Sequence, residues 1–331
     1  MKNILLTGGL GYIGSHTASV LAEKNLNFFI LDNFSNSKFE VIENLEEITN
    51  QKICFLKADI RDTKMIIEII EKNNISSVMH FAALKSVEDS INDPIKYYDV
   101  NIGGTISLLN AMRKTGVREF LFSSSATVYG DPKYLPIDEK HNTNAINPYG
   151  NSKLIVEKIL SELAKLDKSW SITSLRYFNP IGSHPSNLIG DDPTTTTSKN
   201  LMPNIINSIK NANSKVKIFG DDYDTPDGTG IRDYIHIMDL ANAHLKALNF
   251  ISKSKGFHVF NIGTGKGYSV LELLNTFENV TGLEVPKNFV GRRHGDISKC
   301  YADPSKAYNI LGWNAEFDLR DMCLSSWEFS K

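Results

Sequence analysis

Short apolar runs alternate with longer periodic segments along the first half of the chain. Stretches at 3–7, 27–32, 52–57, 77–82, 118–123 and 171–177 have the length and composition of strands. Segments at 12–24, 62–72, 94–115 and 149–166 carry helical spacing; in the last, Leu154, Ile155, Ile159, Leu160 and Leu163 recur every three to four residues. This alternation predicts an α/β fold in which right-handed crossovers wind helices onto both faces of a parallel sheet.

After Pro180 the texture changes. Gly182, Pro185, Gly190, Pro193 and the four threonines 194–197 mark a loop-rich boundary, followed by a predicted helix near 200–211, a strand Val216–Phe219 and an acidic turn over 221–230. Residues 236–248 and 257–262 again read as helix then strand, so the chain is expected to return to the large sheet. The predicted division is therefore discontinuous: 1–177 with a return segment of about 236–262, and a smaller α/β lobe from 178–235 and 263–331.

Composition narrows the function classes. The 331 residues are 41% hydrophobic, with 36 basic and 38 acidic side chains and no long like-charge block. A nucleic-acid or anionic-membrane surface is not expected, and a small molecule is the natural partner. Cys54, Cys300 and Cys323 form neither a CxxC pair nor a metal spacing, which suits a reducing compartment. Met1 leads at once into Ile4-Leu5-Leu6, leaving no room for a secretory leader, and no apolar run approaches the ~20 residues needed to span a bilayer. Cytoplasmic localisation is expected, with the sequons at Asn33, Asn74 and Asn279 as chance matches.

The chemistry begins at Thr7-Gly8-Gly9-Leu10-Gly11-Tyr12-Ile13-Gly14, between the first strand and first helix. Glycines at 8, 11 and 14 permit a tight turn, close backbone approach to a pyrophosphate, and close helix–strand packing. A glycine triplet can also be simple turn chemistry; its place in a strand–turn–helix favours a dinucleotide site. Asp32, at the end of the second strand, can accept from both ribose hydroxyls and would repel a 2′-phosphate, which predicts NAD rather than NADP. Asp59-Ile60 is expected beside the adenine, and Phe81-Ala82-Ala83 and Lys85 beside the cofactor's other half.

Tyr149 and Lys153 lie four apart at a predicted helix start, hence on one face. Alone, such a pair is more often a surface aromatic and a solvated lysine. Here it follows Ser123-Ser124-Ser125 at the end of the fifth strand, the edge where ligands of such sheets bind. A neighbouring ammonium together with an oxidised nicotinamide is expected to acidify the phenol, whose ordinary pKa is about 10.

Gly8–Gly14, Asp32, Ser123–Gly130, Tyr149–Lys153 and Arg176–Pro180 together resemble the extended short-chain dehydrogenase/reductase superfamily. Asn200–Pro203, Asp227–Tyr234 and Arg292-Arg293-His294-Gly295-Asp296 narrow the resemblance, over nearly the whole chain, to the UDP-glucose 4-epimerase family. The resemblance implies a Rossmann domain with a smaller substrate-binding domain, NAD as cofactor and UDP-hexoses as substrates. It implies Ser125 on the sugar's 4-oxygen, Tyr149 as proton acceptor and Lys153 on the nicotinamide ribose. The implied cofactor set is Gly8, Gly11, Tyr12, Ile13, Gly14, Asp32, Asn33, Asn36, Ser37, Asp59, Ile60, Phe81, Ala82, Ala83, Lys85, Asn101, Tyr149, Lys153, Tyr177 and Phe178. Around the substrate it implies Lys85, Ser125, Thr127, Tyr149, Asn179, Asn200 and Leu201. Phe219 is implied by the uracil, Arg232 and Arg293 on the diphosphate, Asp296 on the ribose and Cys300 at a gate beside the hexose. A small gate residue implies space for a 2-acetamido group.

The same resemblance implies a homodimer through the helices near 94–115 and 149–166. Rival readings are a sugar-nucleotide 4,6-dehydratase or decarboxylase of the same fold, or a non-catalytic NAD-binding sensor. Dehydratases of this kind commonly carry an acid shortly after the serine, where this chain has Ala126 and Thr127. No metal is expected. The run Asp221–Gly228 lacks the glycine a calcium loop requires, and His80, His236 and His244 have no ligand spacing. No G-x-S-x-G elbow supports a serine hydrolase.

Overall fold

The structure is a computed structural model that describes residues 2–192, 200–211, 213–293 and 295–331. Pro193, the four threonines 194–197 and His294 lie outside the described residues. Seven strands make one parallel sheet: β1 (Asn3–Thr7), β2 (Asn27–Asp32), β3 (Phe55–Lys57), β4 (Ile75–His80), β5 (Glu119–Ser125), β6 (Ser171–Tyr177) and the edge strand Gly256–Ile262. Across the sheet the order runs Gly256–Ile262, β6, β5, β4, β1, β2, β3. The winding direction reverses between β1 and β4, which pair from Asn3↔Ile75 to Thr7↔His80. The carboxyl ends of these strands therefore open a crevice.

The two-residue period of β1 explains why both faces are covered. Ile4 and Leu6 point into one core with Leu21 and Leu240, and Leu5 into the other with Ile66, Leu108 and Leu160. Each of these side chains is fully buried, as is Thr7, so that within β1 only Asn3 at its start is partly exposed. Smaller sheets lie beyond the carboxyl edge: Val216–Phe219 with Lys287–Val290, and Ile231–Arg232 between Tyr268–Ser269 and Lys299–Cys300. Their shared core joins Ile205, Ile218, Leu274, Phe277 and Met322. Among the described residues no helix is long and apolar enough to cross a membrane.

Several elements differ from the periodicity. The single helix expected over 94–115 is three pieces: Pro94–Tyr98, a π-helical turn Asp99–Gly103 and Gly104–Thr115. The turn carries Asn101, which accepts from Leu84 N at 2.8 Å and donates to Leu84 O at 3.1 Å. Such insertions mark functional positions more often than plain helix does. Beside it, Gly104 is required by packing, because a Cβ there would stand 2.5 Å from Ile60 Cδ1. Helices at Glu40–Thr49, Val270–Thr281 and Leu319–Ser330 were not expected; the first buries only Ile42 and Leu45.

Candidate active site

The glycine-rich turn is built for a close-lying ligand. Gly8 has φ +68°, and a Cβ on it would meet Ala82 N at 2.5 Å. The Phe81 and Ala82 amides both donate to Thr7 O at 2.9 Å, locking the β4 end against the β1 end. A Cβ on Gly14 would lie 2.5 Å from Gly8 O, so helix Tyr12–Glu23 can sit this close only with glycine there. Its N-cap, Gly11, offers no side-chain cap, and the first turn holds no acidic residue. The unblocked helix start suits a pyrophosphate, so these residues fit the dinucleotide the sequence implies.

Asp32 is pinned at the end of β2. Its Oδ2 accepts from Leu10 N at 3.2 Å, and its Oδ1 accepts from Phe34 N at 3.0 Å and Ser37 Oγ at 2.8 Å. Asn36 belongs to the same turn. Asn33 donates to Asp59 Oδ2 at 3.0 Å, and Arg61 beside Asp59 holds that carboxyl down at about 2. Tyr12 donates to Gly182 O at 2.7 Å, tying the cofactor helix to the loop after β6, while Ile13 packs partly buried against the core. Lys85 lies 5.9 Å from the Tyr12 ring centre and 3.5 Å from Asp191, which also accepts from Asn200.

Proton chemistry is assembled where β5 meets helix Pro148–Leu166. Asn147 caps that helix by accepting from Gly150 N at 2.8 Å, and Pro148 supplies the preset first turn. Tyr149 and Lys153 thus occupy the first two turns. Ser125 Oγ accepts from Thr127 N at 3.2 Å and Thr127 Oγ1 at 3.0 Å, which leaves its own proton to donate. Lys153 is 4% exposed and donates to Ser123 O at 2.7 Å.

Burial sets the charges of this pair. Burial pushes the Tyr149 phenol up to about 12, against the pull of the Ser125 hydroxyl and with the repulsion of Tyr97. Burial likewise drives Lys153 down to about 7, opposed by Glu157. Burial therefore keeps the phenol protonated at neutral pH, whereas Lys153, at about 7 with Glu157 opposing its loss of charge, is divided between its charged and neutral forms. The acidified phenol expected from the sequence already includes the positive charge of an oxidised nicotinamide beside the ammonium.

Two supporting groups escaped the sequence reading. Glu157 Oε1 accepts from Ser124 Oγ at 2.7 Å, Ser174 Oγ at 2.9 Å and Arg176 Nε at 3.0 Å. Arg176 sits in β6, all seven of whose residues are buried, and a cation there requires an internal carboxylate. His244 donates from Nδ1 to Leu240 O at 2.8 Å, so its Nε2 accepts from the Tyr177 hydroxyl. The His244 ring lies 4.9 Å from that of Phe81, and Tyr177, Phe81 and His244 form one layer below the crevice. Asn101 spends its amide on Leu84 and Ser152, which makes it a support for the Phe81–Lys85 loop.

The implied substrate residues fall in separate groups. Cys300 pairs in register with Arg232, whose Nη1 donates to Ile231 O at 2.9 Å. Cys300 is 8% exposed among Val128, Phe178 and Ala302, and burial raises its thiol to about 11. Arg293 lies 5.2 Å from the centre of the Phe219 ring and is held by Asp296 at 2.9 Å. Asn179 is exposed just past β6, its amide donating to Asp233 O, and Leu201 opens helix Leu201–Lys210. Among the described residues no cluster of three or more His, Cys, Asp or Glu side chains is arranged to hold a metal.

Comparison with known proteins identifies the relatives of this chain. The family profile described as GDP-mannose 4,6 dehydratase matches residues 5–325. A UDP-glucose 4-epimerase of Bacillus subtilis is 48% identical over 326 residues, covering 98% of this chain and 96% of its own. The crystal structure of a Stenotrophomonas maltophila UDP-glucose 4-epimerase, with bound NAD and formylated UDP-arabinopyranose, superposes with TM-score 0.97 at 46% identity. It covers 100% of this chain and 98% of its own. A UDP-Glc/GlcNAc 4-epimerase from Campylobacter jejuni is similar at TM-score 0.86 and 34% identity, covering 100% of this chain and 99% of its own.

Proposed function

The chain belongs to the UDP-glucose 4-epimerase family, and from that premise we propose how its own residues divide the work. It is an isomerase that interconverts UDP-glucose and UDP-galactose with NAD as cofactor. NAD, when bound, supplies reversible acceptance of hydride from C4 of the hexose. The gathering of Ser125, Tyr149 and Lys153 at the carboxyl end of β5, beside the glycine cradle, carries the assignment of roles. Ser125, with its proton free to donate, hydrogen-bonds the 4-oxygen. Tyr149 takes the 4-hydroxyl proton as the C4–H pair departs, leaving a 4-keto sugar. After the sugar turns, C4 receives the pair on its other face and Tyr149 returns the proton. Lys153 supplies a donor to the nicotinamide ribose and positive charge beside the phenol.

In the same reading, 1–177 with 236–262 hold the cofactor, and 178–235 with 263–331 hold the UDP-sugar. Arg232 and Arg293 grip the diphosphate, for which guanidinium forks are suited. Arg293 must then exchange Asp296 for phosphate, freeing Asp296 for the uridine ribose beside Phe219. The dehydratase rival is disfavoured because Ala126 and Thr127 follow Ser125, and Thr127 is already engaged with it. Galactose metabolism follows from the substrates, and the free thiols Cys54, Cys300 and Cys323 suit a reducing cytoplasm, which cell fractionation would check.

Helices Pro94–Tyr98, Gly104–Thr115 and Pro148–Leu166 expose Ile95 (80%), Ile106 (41%), Ile155 (37%) and Leu166 (82%). These exposed apolar side chains on three helices support a homodimer. Sedimentation of the NAD-loaded protein is expected to give twice the chain mass; a monomer at micromolar concentration would overturn it.

Substituting Tyr149→Phe is expected to slow conversion of UDP-galactose, read by a coupled glucose assay, by about 10²- to 10⁴-fold. A wild type that converts no UDP-galactose would sink the assignment. The small Cys300 also supports activity on UDP-GlcNAc and UDP-GalNAc, as the named activity of the Campylobacter relative does. Cys300→Tyr is expected to cut N-acetyl turnover by at least about tenfold, with UDP-galactose turnover as the folding control. Full N-acetyl activity in that variant would count against a volume gate.

A further inference from the structure

One helical turn beyond Lys153, Glu157 is 3% exposed and, among the described residues, carries the acidic charge whose field acts on Lys153. Arg176 forks onto its two oxygens and extends Nη1 to the Tyr129 hydroxyl at 2.9 Å, which donates to Asn261 Oδ1 at 2.6 Å. Buried ion pairs add little net stability, because desolvation offsets their attraction and apolar replacements often serve as well. Stability alone is therefore a weak reason for this pair.

Its position supplies a better one. Tyr149, Lys153 and Glu157 take successive turns of one helix face, and all three meet the same strand end. Tyr149 lies by the Ser125 hydroxyl, Lys153 donates to Ser123 O, and Glu157 accepts from Ser124 Oγ. We propose that Glu157 is a positioning residue for epimerisation: it keeps the Lys153 ammonium charged and sets the Ser123–Ser125 strand end in register with Tyr149. The proposal rests on the epimerase reading above.

The other groups facing Lys153 cannot do this. His80 on β4 is buried and held neutral, its pKa lowered to about 3 by burial and by Lys153 itself. The Phe122 ring on β5 lies 5.0 Å from Nζ, Tyr149 on the same helix keeps its proton, and Arg176 and Tyr177 on β6 add no negative charge. Removing the Glu157 charge leaves burial unopposed, so Lys153 gives up its proton at lower pH.

The test compares wild type, Glu157→Gln and Glu157→Asp by two readouts. In the NAD-free protein, the Lys153 side-chain carbon resonance, assigned by its loss in Lys153→Met, gives the titration midpoint. In the holoenzyme, the pH profile of kcat on UDP-galactose gives the alkaline limb. Glu157→Gln is expected to lower both by about one pH unit or more. Glu157→Asp keeps the charge, and is expected to leave both near wild type while lowering kcat through its shorter reach. Equal loss of rate in both variants with neither value moved would overturn the proposal and leave Glu157 a prop for the fold. If Glu157→Gln does not fold, Glu157→Gln/Arg176→Met removes both charges and carries the same expectation and the same overturning result. A wild type without epimerase activity would instead refute the reading beneath it, leaving the NAD-free midpoint to judge the pairing itself.

Discussion

A buried lysine governs this molecule. Lys153 is 4% exposed at the junction of β5 and helix Pro148–Leu166, and desolvation works against its charge. What surrounds it can be read as a response: a carbonyl of Ser123 to accept, a carboxylate one turn away to oppose the loss of charge, and Arg176 to balance that carboxylate. The same burial raises Tyr149 to about 12. Burial of the phenol works against its acting as a base, and positive charge placed beside it would oppose that effect.

The frame of this site was legible in the residues, its electrostatics were not. Glycine spacing located the cradle because only steric demand explains Gly8 and Gly14, and the structure shows backbone atoms where a Cβ would stand. The four-residue step from Tyr149 to Lys153 placed both on one face. The next step, to Glu157, was passed over because a glutamate in an amphipathic helix ordinarily faces water. Arg176, the one charged residue in the fully buried strand Ser171–Tyr177, was the available clue. The sign of the Tyr149 shift depends on burial, which spacing does not encode. The long helix expected over 94–115 failed for a similar reason: Asn101 is diverted to the Leu84 backbone, a tertiary contact that periodicity cannot register.

The two ends of the substrate face opposite demands. Release of hydride and its return to the other face of C4 require the hexose to turn while UDP stays fixed. Charged forks at Arg232 and Arg293 suit the fixed end, and the compact, mostly apolar wall holding Cys300, Phe178 and Val128 suits the turning end. Cys300 is joined to Arg232 by strand register, so the proposed grip and gate sit on neighbouring strands of one small sheet.

In this reaction the hydrogen leaves C4 and returns to C4 within one site. UDP-galactose carrying deuterium at C4, converted in ordinary water by enzyme whose only NAD is already bound, tests this most directly. The UDP-glucose formed is expected to retain its deuterium at C4. Deuterium lost to solvent, or found on cofactor free in solution, would contradict it.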